Sequence, residues 1–412
     1  MEIRPILSAL LRQKTGPLLV AIQVAISLAI LANALFIVSE RIATADRPSG
    51  VANEEDVGYL NVFPLEKRPH AEVLARQQEV VNALRALPGV ESAAWSSQMP
   101  MSRSGSSGSV RASLAQTQET ANAGLYFAHE GFLKTMGLRL VEGRDFQPDE
   151  IVDNDPDTSS SDEDVPRNTI VTLALARALF PDAGTFVGRN FYFGMGAARP
   201  SRIVGVVEHL QTPQAPTGIA GDYSAILPLR ISMPNSRYVV RAVPGQRDAV
   251  MLRAEETMRK LHPMALKEKI RTVSDDRYTR YRNERAMAWM LIAVSVLLLL
   301  VTVSGIVGMT ALRVAQRRKQ IGVRRALGAR WRDIVRYFVT ENLMITSAGI
   351  AAGLLLALAL NGLLRRTLEM GQLPLAYLAI GAGVLWLLGV AAVWGPASRA
   401  ASTPPAIATR TA

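Results

Sequence analysis

Cysteine is missing from the chain, which excludes disulfides, thiolate zinc sites and thiol nucleophiles. Histidine is scarce: His70, His129, His209 and His262 are scattered, with no His-x-x-x-His or His-Glu pairing. No metal site is therefore expected. No Gly-x-Ser-x-Gly elbow occurs, and Gly105-Ser106-Ser107-Gly108 reads as a polar loop. No Gly-x-x-x-x-Gly-Lys-Ser/Thr sequence is present to cradle ATP phosphates. With no catalytic constellation in sight, an independent enzyme is not expected.

What the chain has in quantity is apolar sequence. Hydrophobic residues make up 49% of its 412 residues, and mean hydropathy is +0.15. Four windows are long enough to cross a bilayer: Pro17–Ser39, Ala286–Leu312, Thr340–Leu363 and Ala376–Gly395. None holds an ionisable residue near its centre, although Glu341 sits at the edge of the third. Proton relays and ion pathways need such residues, so none is expected. Gln23, Ser27, Asn33, Thr302 and Ser304 read instead as interhelical hydrogen-bond partners. Gly305 with Gly308, and Gly349 with Gly353, read as sites of close helix packing.

Charge orients the spans. The stretch Leu312–Tyr337 carries Arg313, Arg317, Arg318, Lys319, Arg324, Arg325, Arg330, Arg332 and Arg336 against Asp333 alone. Short Lys/Arg-rich loops resist translocation, which places this loop in the cytoplasm. Together with residues 1–16 and 396–412 it carries a net +12, more than the +11 of the whole chain. The basicity is therefore a positive-inside pattern, and no nucleic acid is expected as a partner. The expected order is a cytoplasmic amphipathic segment (1–16), a first span (17–39), an outside domain (40–285), a second span (286–312) and a cytoplasmic loop (313–339). A third span (340–363), a short outside loop (364–375), a fourth span (376–395) and a cytoplasmic tail (396–412) follow. Ile3, Ile6, Leu7, Leu10 and Leu11 recur at helical spacing, which suits a helix on the membrane surface or the frayed start of the first span. Ala32-Asn33-Ala34 imitates a signal cleavage site, but the apolar run continues through Val38, so a retained span is expected.

The outside domain reads as α+β. Helices are predicted over Ala71–Leu87 and Arg247–Leu261, and strands over Gly58–Phe63, Thr169–Leu173, Arg202–Val207 and Arg237–Val243. Their alternation predicts βαβ-type units. Segment 101–122, rich in Ser, Gly, Gln and Thr, is expected as an exposed loop. Segment 149–164 is acidic and is expected as a solvated, disordered insertion. Asp153, Asp155, Asp157, Ser159, Ser161 and Asp164 fit a calcium-loop register, but Thr158 stands where Gly is needed and Asp164 where a bidentate Glu is needed. Residues 271–285 are expected to form a helical stalk continuous with the second span.

Specific motifs run along this frame. Gln320-Ile321-Gly322-Val323-Arg324-Arg325-Ala326-Leu327-Gly328-Ala329 follows the second span, and Pro396-Ala397-Ser398-Arg399-Ala400-Ala401 leads to Pro405-Ala406-Ile407-Ala408-Thr409-Arg410. Within the outside domain stand Gly143-Arg144-Asp145-Phe146, Leu175-Ala176-Arg177-Ala178-Leu179-Phe180, Val187-Gly188-Arg189 and Ile203-Val204-Gly205-Val206-Val207. In this order, with a 1+3 arrangement of spans, the chain resembles the MacB/FtsX-like permeases of ABC transporters. It departs from the family pattern at Gln320, where Glu is usual, and at Thr403-Pro404, where a hydrophobic–Asp pair is usual.

The resemblance implies a four-span inner-membrane subunit of bacteria that dimerises with a second copy or a paralogue. It also implies that the subunit engages a separate ATP-binding subunit through the loop Gln320–Ala329. ATP and Mg would be bound by that partner, with no cofactor in this chain. Efflux of peptides, antibiotics or other envelope substrates by mechanical transmission is the expected function, with a membrane fusion protein and an outer-membrane channel as further partners. Lipoprotein release and a periplasmic sensor without export are the alternatives.

Overall fold

The computed structural model describes residues 10, 15–158, 166–196, 199–233, 235–262, 265–267, 270–368 and 371–402. In chain order, α1 (Thr15–Ala45) leads to β1 (Val57–Pro64), α2 (His70–Arg85), β2 (Val90–Ser96), β3 (Ser107–Arg111), β4 (Ala121–Phe127), α3 (Phe132–Met136), β5 (Leu140–Gly143) and β6 (Val152–Asn154). Next come β7 (Asn168–Thr172), α4 (Leu173–Leu179), β8 (Asn190–Phe193), β9 (Pro200–Val207), β10 (Ser224–Leu227), β11 (Leu229–Ile231), β12 (Ser236–Ala242), α5 (Arg247–Leu261), β13 (Ala265–Lys267) and β14 (Arg271–Thr272). Then α6 (Val273–Gln316), α7 (Arg318–Ala326), α8 (Trp331–Leu368) and α9 (Leu375–Ser402) follow. Two compact units result, one of residues 1–43 with 284–412 and one of residues 44–283.

The second unit is α+β and holds two main sheets. Strands β13, β1, β12 and β2 lie in that order, each antiparallel to its neighbour, with α2 joining β1 to β2 and α5 joining β12 to β13. This is the split βαβ arrangement of ferredoxin-like folds. Period-2 side chains supply both faces. Leu60 and Val62 pack with Val80, Leu84, Val250 and Met258 of the two helices, while Val57 and Tyr59 face the other core with Tyr126 and Phe132. The second sheet enters between β2 and β12. Its path β9–β7–β10–β4–β3–β8 returns to β9, closing a six-stranded ring with β5 on the other part of β9's edge. Thr172 caps α4, which fills the ring's core with Leu175, Ala176 and Leu179. Closure of the ring removes the exposed edges that would otherwise invite pairing with other chains.

Three expectations are corrected. Segment 101–122 is not an open loop throughout: Met101 is buried, and Ser107–Arg111 form β3, bonded on both edges to β4 and β8. Its glycine and serine content reflects close packing, since Gly108 leaves room for the Leu125 side chain. The acidic segment is ordered at its start, where β6 pairs in parallel with β11 and Asp153 meets Arg230 at 3.2 Å. Asp155 accepts the Asp157 N–H, and Ser159, Ser161 and Asp164 lie outside the described residues. Arg271 and Thr272 are not helical, because they pair with Tyr59 and Gly58 as β14, so the helix begins at Val273. The segments 1–9 and 403–412, including Thr403-Pro404 and the motif's second half, also lie outside the described residues.

In the other unit α1, α6, α8 and α9 are each long and apolar enough to cross a bilayer. The helices overrun the apolar windows: α8 continues to Leu368, and α9 runs through Pro396 to Ser402. Helix α1 is the most enclosed and α6 the least. Gly349 and Gly353 let α8 approach the α1 backbone: a Cβ on them would lie 2.7 Å from the Ala21 carbonyl oxygen and 2.9 Å from that of Ala25. Gly305 faces the Gln23 side chain, whereas Gly308 faces open space among the described residues. Several polar side chains in these helices bond across to a neighbouring helix, as an apolar medium favours. Ser27 and Thr302 share a buried 2.7 Å hydrogen bond, Asn33 donates to the Ala357 carbonyl at 3.1 Å and Asn342 to that of Gly389 at 3.1 Å. Ser304 is exposed.

Two stability measurements follow. Gly349→Leu should cost about 1–3 kcal/mol in detergent-solubilised protein by overpacking against α1, whereas Gly308→Leu should change it by less than about 0.5 kcal/mol. His129, buried and stacked on Trp95 with ring centroids 4.5 Å apart, has no hydrogen-bond partner at either ring nitrogen among the described residues. Burial pushes its pKa down to about 4, so the unfolded chain binds the proton first as pH falls below about 6.5. The stability this provides is complete above that pH and is lost toward about 4, at up to about 1.4 kcal/mol per pH unit. Melting curves between pH 7.5 and 4.5 should show this slope, and His129→Phe should flatten it.

Candidate coupling surface

Helix α7 connects α6 to α8 and contains most of the motif that begins at Gln320. It ends in a Schellman motif: the Gly328 N–H donates to the Arg325 carbonyl at 3.1 Å and the Ala329 N–H to the Arg324 carbonyl at 3.0 Å. Gly328 adopts φ +96°, a conformation costly for any residue with a Cβ. Restarting the chain, the Arg330 N–H donates to the Asp333 carboxylate at 2.9 Å at the beginning of α8. The segment read as a loop is thus largely helix with one sharp turn.

The helix has two sides. Gly322 is buried and Ile321 packs into the apolar core between α1, α6, α8 and α9. Gln320, Val323, Arg324 and Leu327 follow i, i+3, i+4, i+7 spacing and are all exposed, Leu327 at 83%. Such spacing places them on one face. Ala326 is exposed as well, whereas Arg325 and Ala329 are half-buried. An exposed apolar pair bordered by a guanidinium is a surface suited to a protein partner.

Beneath this surface lies an anchor of charged groups. Glu341 on α8 is 2% exposed and accepts from Arg313 at 3.2 Å and Arg317 at 3.3 Å. Arg317 also donates to the Tyr337 hydroxyl at 2.8 Å. The guanidiniums of Arg317 and Arg324 lie over the Tyr337 ring, 5.8 and 5.2 Å from its centroid. Trp331 adds a contact to α9, meeting the Trp394 ring edge-on at 6.1 Å. Sequence reading did not assign Glu341 or Tyr337 a role. The available signal was a lone carboxylate at the edge of an apolar window, beside a loop whose arginines outnumber its acids.

Removing the charge of Glu341 leaves two arginines, 12% and 19% exposed, without their shared counter-ion. Glu341→Gln should therefore destabilise the protein by about 3–5 kcal/mol, and Arg313→Gln/Glu341→Gln together by less than the sum of the single changes. Thermal melting of the purified variants in one detergent measures both.

Known proteins share both parts of this architecture. The MacB-like periplasmic core domain matches residues 22–259 and the FtsX-like permease C-terminal domain residues 292–405. A macrolide export ATP-binding/permease protein MacB of Bradyrhizobium diazoefficiens is 36% identical over 141 residues, 34% of this chain and 22% of its own. The MacB of Acinetobacter baylyi is 24% identical over 305 residues, 71% of this chain and 43% of its own. A pyoverdine export ATP-binding/permease protein PvdT of Pseudomonas fluorescens is 30% identical over 192 residues, 46% and 29% of the two chains. The chain thus spans less than half the length of these curated relatives. With four apolar helices and an α+β unit between the first and the second, as the sequence led one to expect, this chain belongs to the MacB/FtsX-like family of ABC transporter permeases.

Proposed function

We propose that the chain is the permease of an exporter that turns ATP hydrolysis by an ATP-binding partner into movement of its α+β unit, expelling substrates from the cell envelope. The exposed face of α7 carries this reading. Gln320, Val323, Arg324 and Leu327 are presented to solvent, on a helix held from behind by the Glu341 cluster. ATP and Mg are then the partner's ligands, and the basic α6–α8 connection lies on the cytoplasmic side by the positive-inside rule. The α+β unit correspondingly lies in the periplasm. Mechanical transmission is favoured over passage through the spans, because the polar groups near their middle are neutral, and Ser27, Asn33 and Thr302 among them bond to neighbouring helices. The relatives are named for macrolide and pyoverdine export, which supports amphiphilic or peptide-like cargo. A second copy or a paralogue fits the exposed apolar side of α6, where Trp289, Leu297 and Leu300 are each at least 59% exposed. Engagement of a membrane fusion protein and an outer-membrane channel completes the proposal.

Reconstitution with the ATP-binding partner in proteoliposomes tests the coupling. Arg324→Glu/Arg325→Glu and Leu327→Asp should each lower transport per ATP hydrolysed by about tenfold or more, and Leu327→Asp, at a side chain 83% exposed, should leave the melting temperature little changed. Coupling equal to that of the unaltered protein would remove α7 from the role.

A further inference from the structure

A cavity of about 470 Å³ opens on the side of α7 turned away from the exposed face just described. Val307, Ala311 and Val314 of α6 and Ile321 of α7 form apolar walls, while Arg318 of α7 and Arg399 of α9 contribute guanidiniums. Both arginines are exposed. The volume is ample for part of a drug-sized amphiphile. Its position is distinctive, at the ends of two helices apolar enough to span a bilayer, where the apolar run of α6 gives way to basic sequence. Acyl chains and headgroups meet at that depth of a membrane.

We propose that this cavity is a binding site for one anionic phospholipid, such as phosphatidylglycerol. The apolar walls accept the upper part of an acyl chain and the two guanidiniums hold the phosphodiester. Charge complementarity selects this occupant. A guanidinium pairs with phosphate oxygens through two parallel N–H donors, and a zwitterionic lipid adds a cation that two arginines repel. Basic pockets at membrane-helix ends hold anionic headgroups for this reason. Because α7 lines the cavity on one side and exposes Val323 and Leu327 on the other, a bound lipid would buttress α7. The site itself requires no ATP-binding partner, so it stands or falls separately from the coupling reading.

The test uses the full-length protein, stripped of lipid in detergent and offered phosphatidylglycerol or phosphatidylcholine at equal concentration, with retained lipid read by native mass spectrometry. Phosphatidylglycerol should be retained in preference, and Arg318→Ala/Arg399→Ala should lower its retention about tenfold. Ala315→Trp, which fills the cavity, should lower it similarly without altering the number of protomers. Arg365→Ala/Arg366→Ala, at the far end of α8, should leave retention within about twofold. Equal retention of both lipids, indifference to the Arg318/Arg399 change, or an equal loss from the Arg365/Arg366 change would overturn the proposal. So would displacement by an equal concentration of glycerol phosphate, which marks a soluble-anion site. A change of protomer number in Ala315→Trp would overturn it as well, marking an interface between copies.

Discussion

Arg313, near the end of α6, and Arg317, just beyond that end, converge on Glu341 of α8 in a setting that leaves the carboxylate 2% exposed. Removing three charged groups from water costs several kcal/mol each. At 3.2–3.3 Å the two attractions recover roughly 5 kcal/mol apiece for an effective dielectric of about 20. Gain and loss are of similar size, so the cluster adds little net stability. Its consequence is exclusivity: any packing of α6 and α8 that separates the partners leaves a buried charge uncompensated. Because Arg317 is also the residue from which α7 starts and stacks on Tyr337, the cluster fixes where α7 begins. The Schellman turn at Gly328 fixes where it ends. Between those constraints the nine residues of α7 have little freedom to present any other face.

A comparable clamp holds the base of α6 inside the α+β unit. Arg277 donates to the carbonyls of Ala45 and Arg47 at 3.1 and 2.6 Å and pairs with Glu54 at 2.5 Å. Tyr59 of β1 donates to the buried Asp276 at 2.6 Å. Arg280 reaches the carbonyls of Gln214 and Ala215, both at 2.8 Å. The first turns of α6 are therefore bonded to the segment after α1, to β1 and to the loop after β9. Insertion of the closed ring between β2 and β12 leaves β1 and the β13–β14 edge as the strands adjoining the helices in sequence. At this point α6 meets both the ferredoxin-like sheet, through Tyr59 of β1, and the ring, through the loop after β9.

Long elements with a single dominant period were legible in the sequence. The apolar windows mark four membrane-length helices, and the apolar spacing from Val73 to Leu84 and from Val250 to Met258 marks α2 and α5. Strand β3 was not legible, because Ser107, Gly108 and Ser109 look like loop. They form a strand because neighbours on both edges bond their backbone, a long-range effect that local composition does not carry. The same holds for Arg271-Thr272, whose helical neighbours suggested helix while Gly58 and Tyr59 impose pairing. At the candidate site, the sequence identified α7 through its motif but could not identify its anchor. Glu341 follows Arg313 and Arg317 by more than twenty residues, and their meeting depends on how α6 and α8 pack.

The small residues divide by the same logic. Spacing alone marks Gly305, Gly308, Gly349 and Gly353 alike, yet what each glycine does depends on what lies opposite. Gly349 and Gly353 face α1 backbone closely enough to forbid a Cβ, and Gly308 faces none of the described residues. Helix α1 is therefore the axis against which α8 is seated, and α6 packs against it more loosely, through Gln23 and the Ser27–Thr302 bond. A helix held by a few polar contacts can shift with smaller loss of packing than one whose backbone is in contact with its neighbour. If the membrane part moves during a working cycle, the α6–α1 seam is where adjustment costs least, and α6 is the helix that carries Arg313 of the Glu341 cluster and leads directly into Arg317.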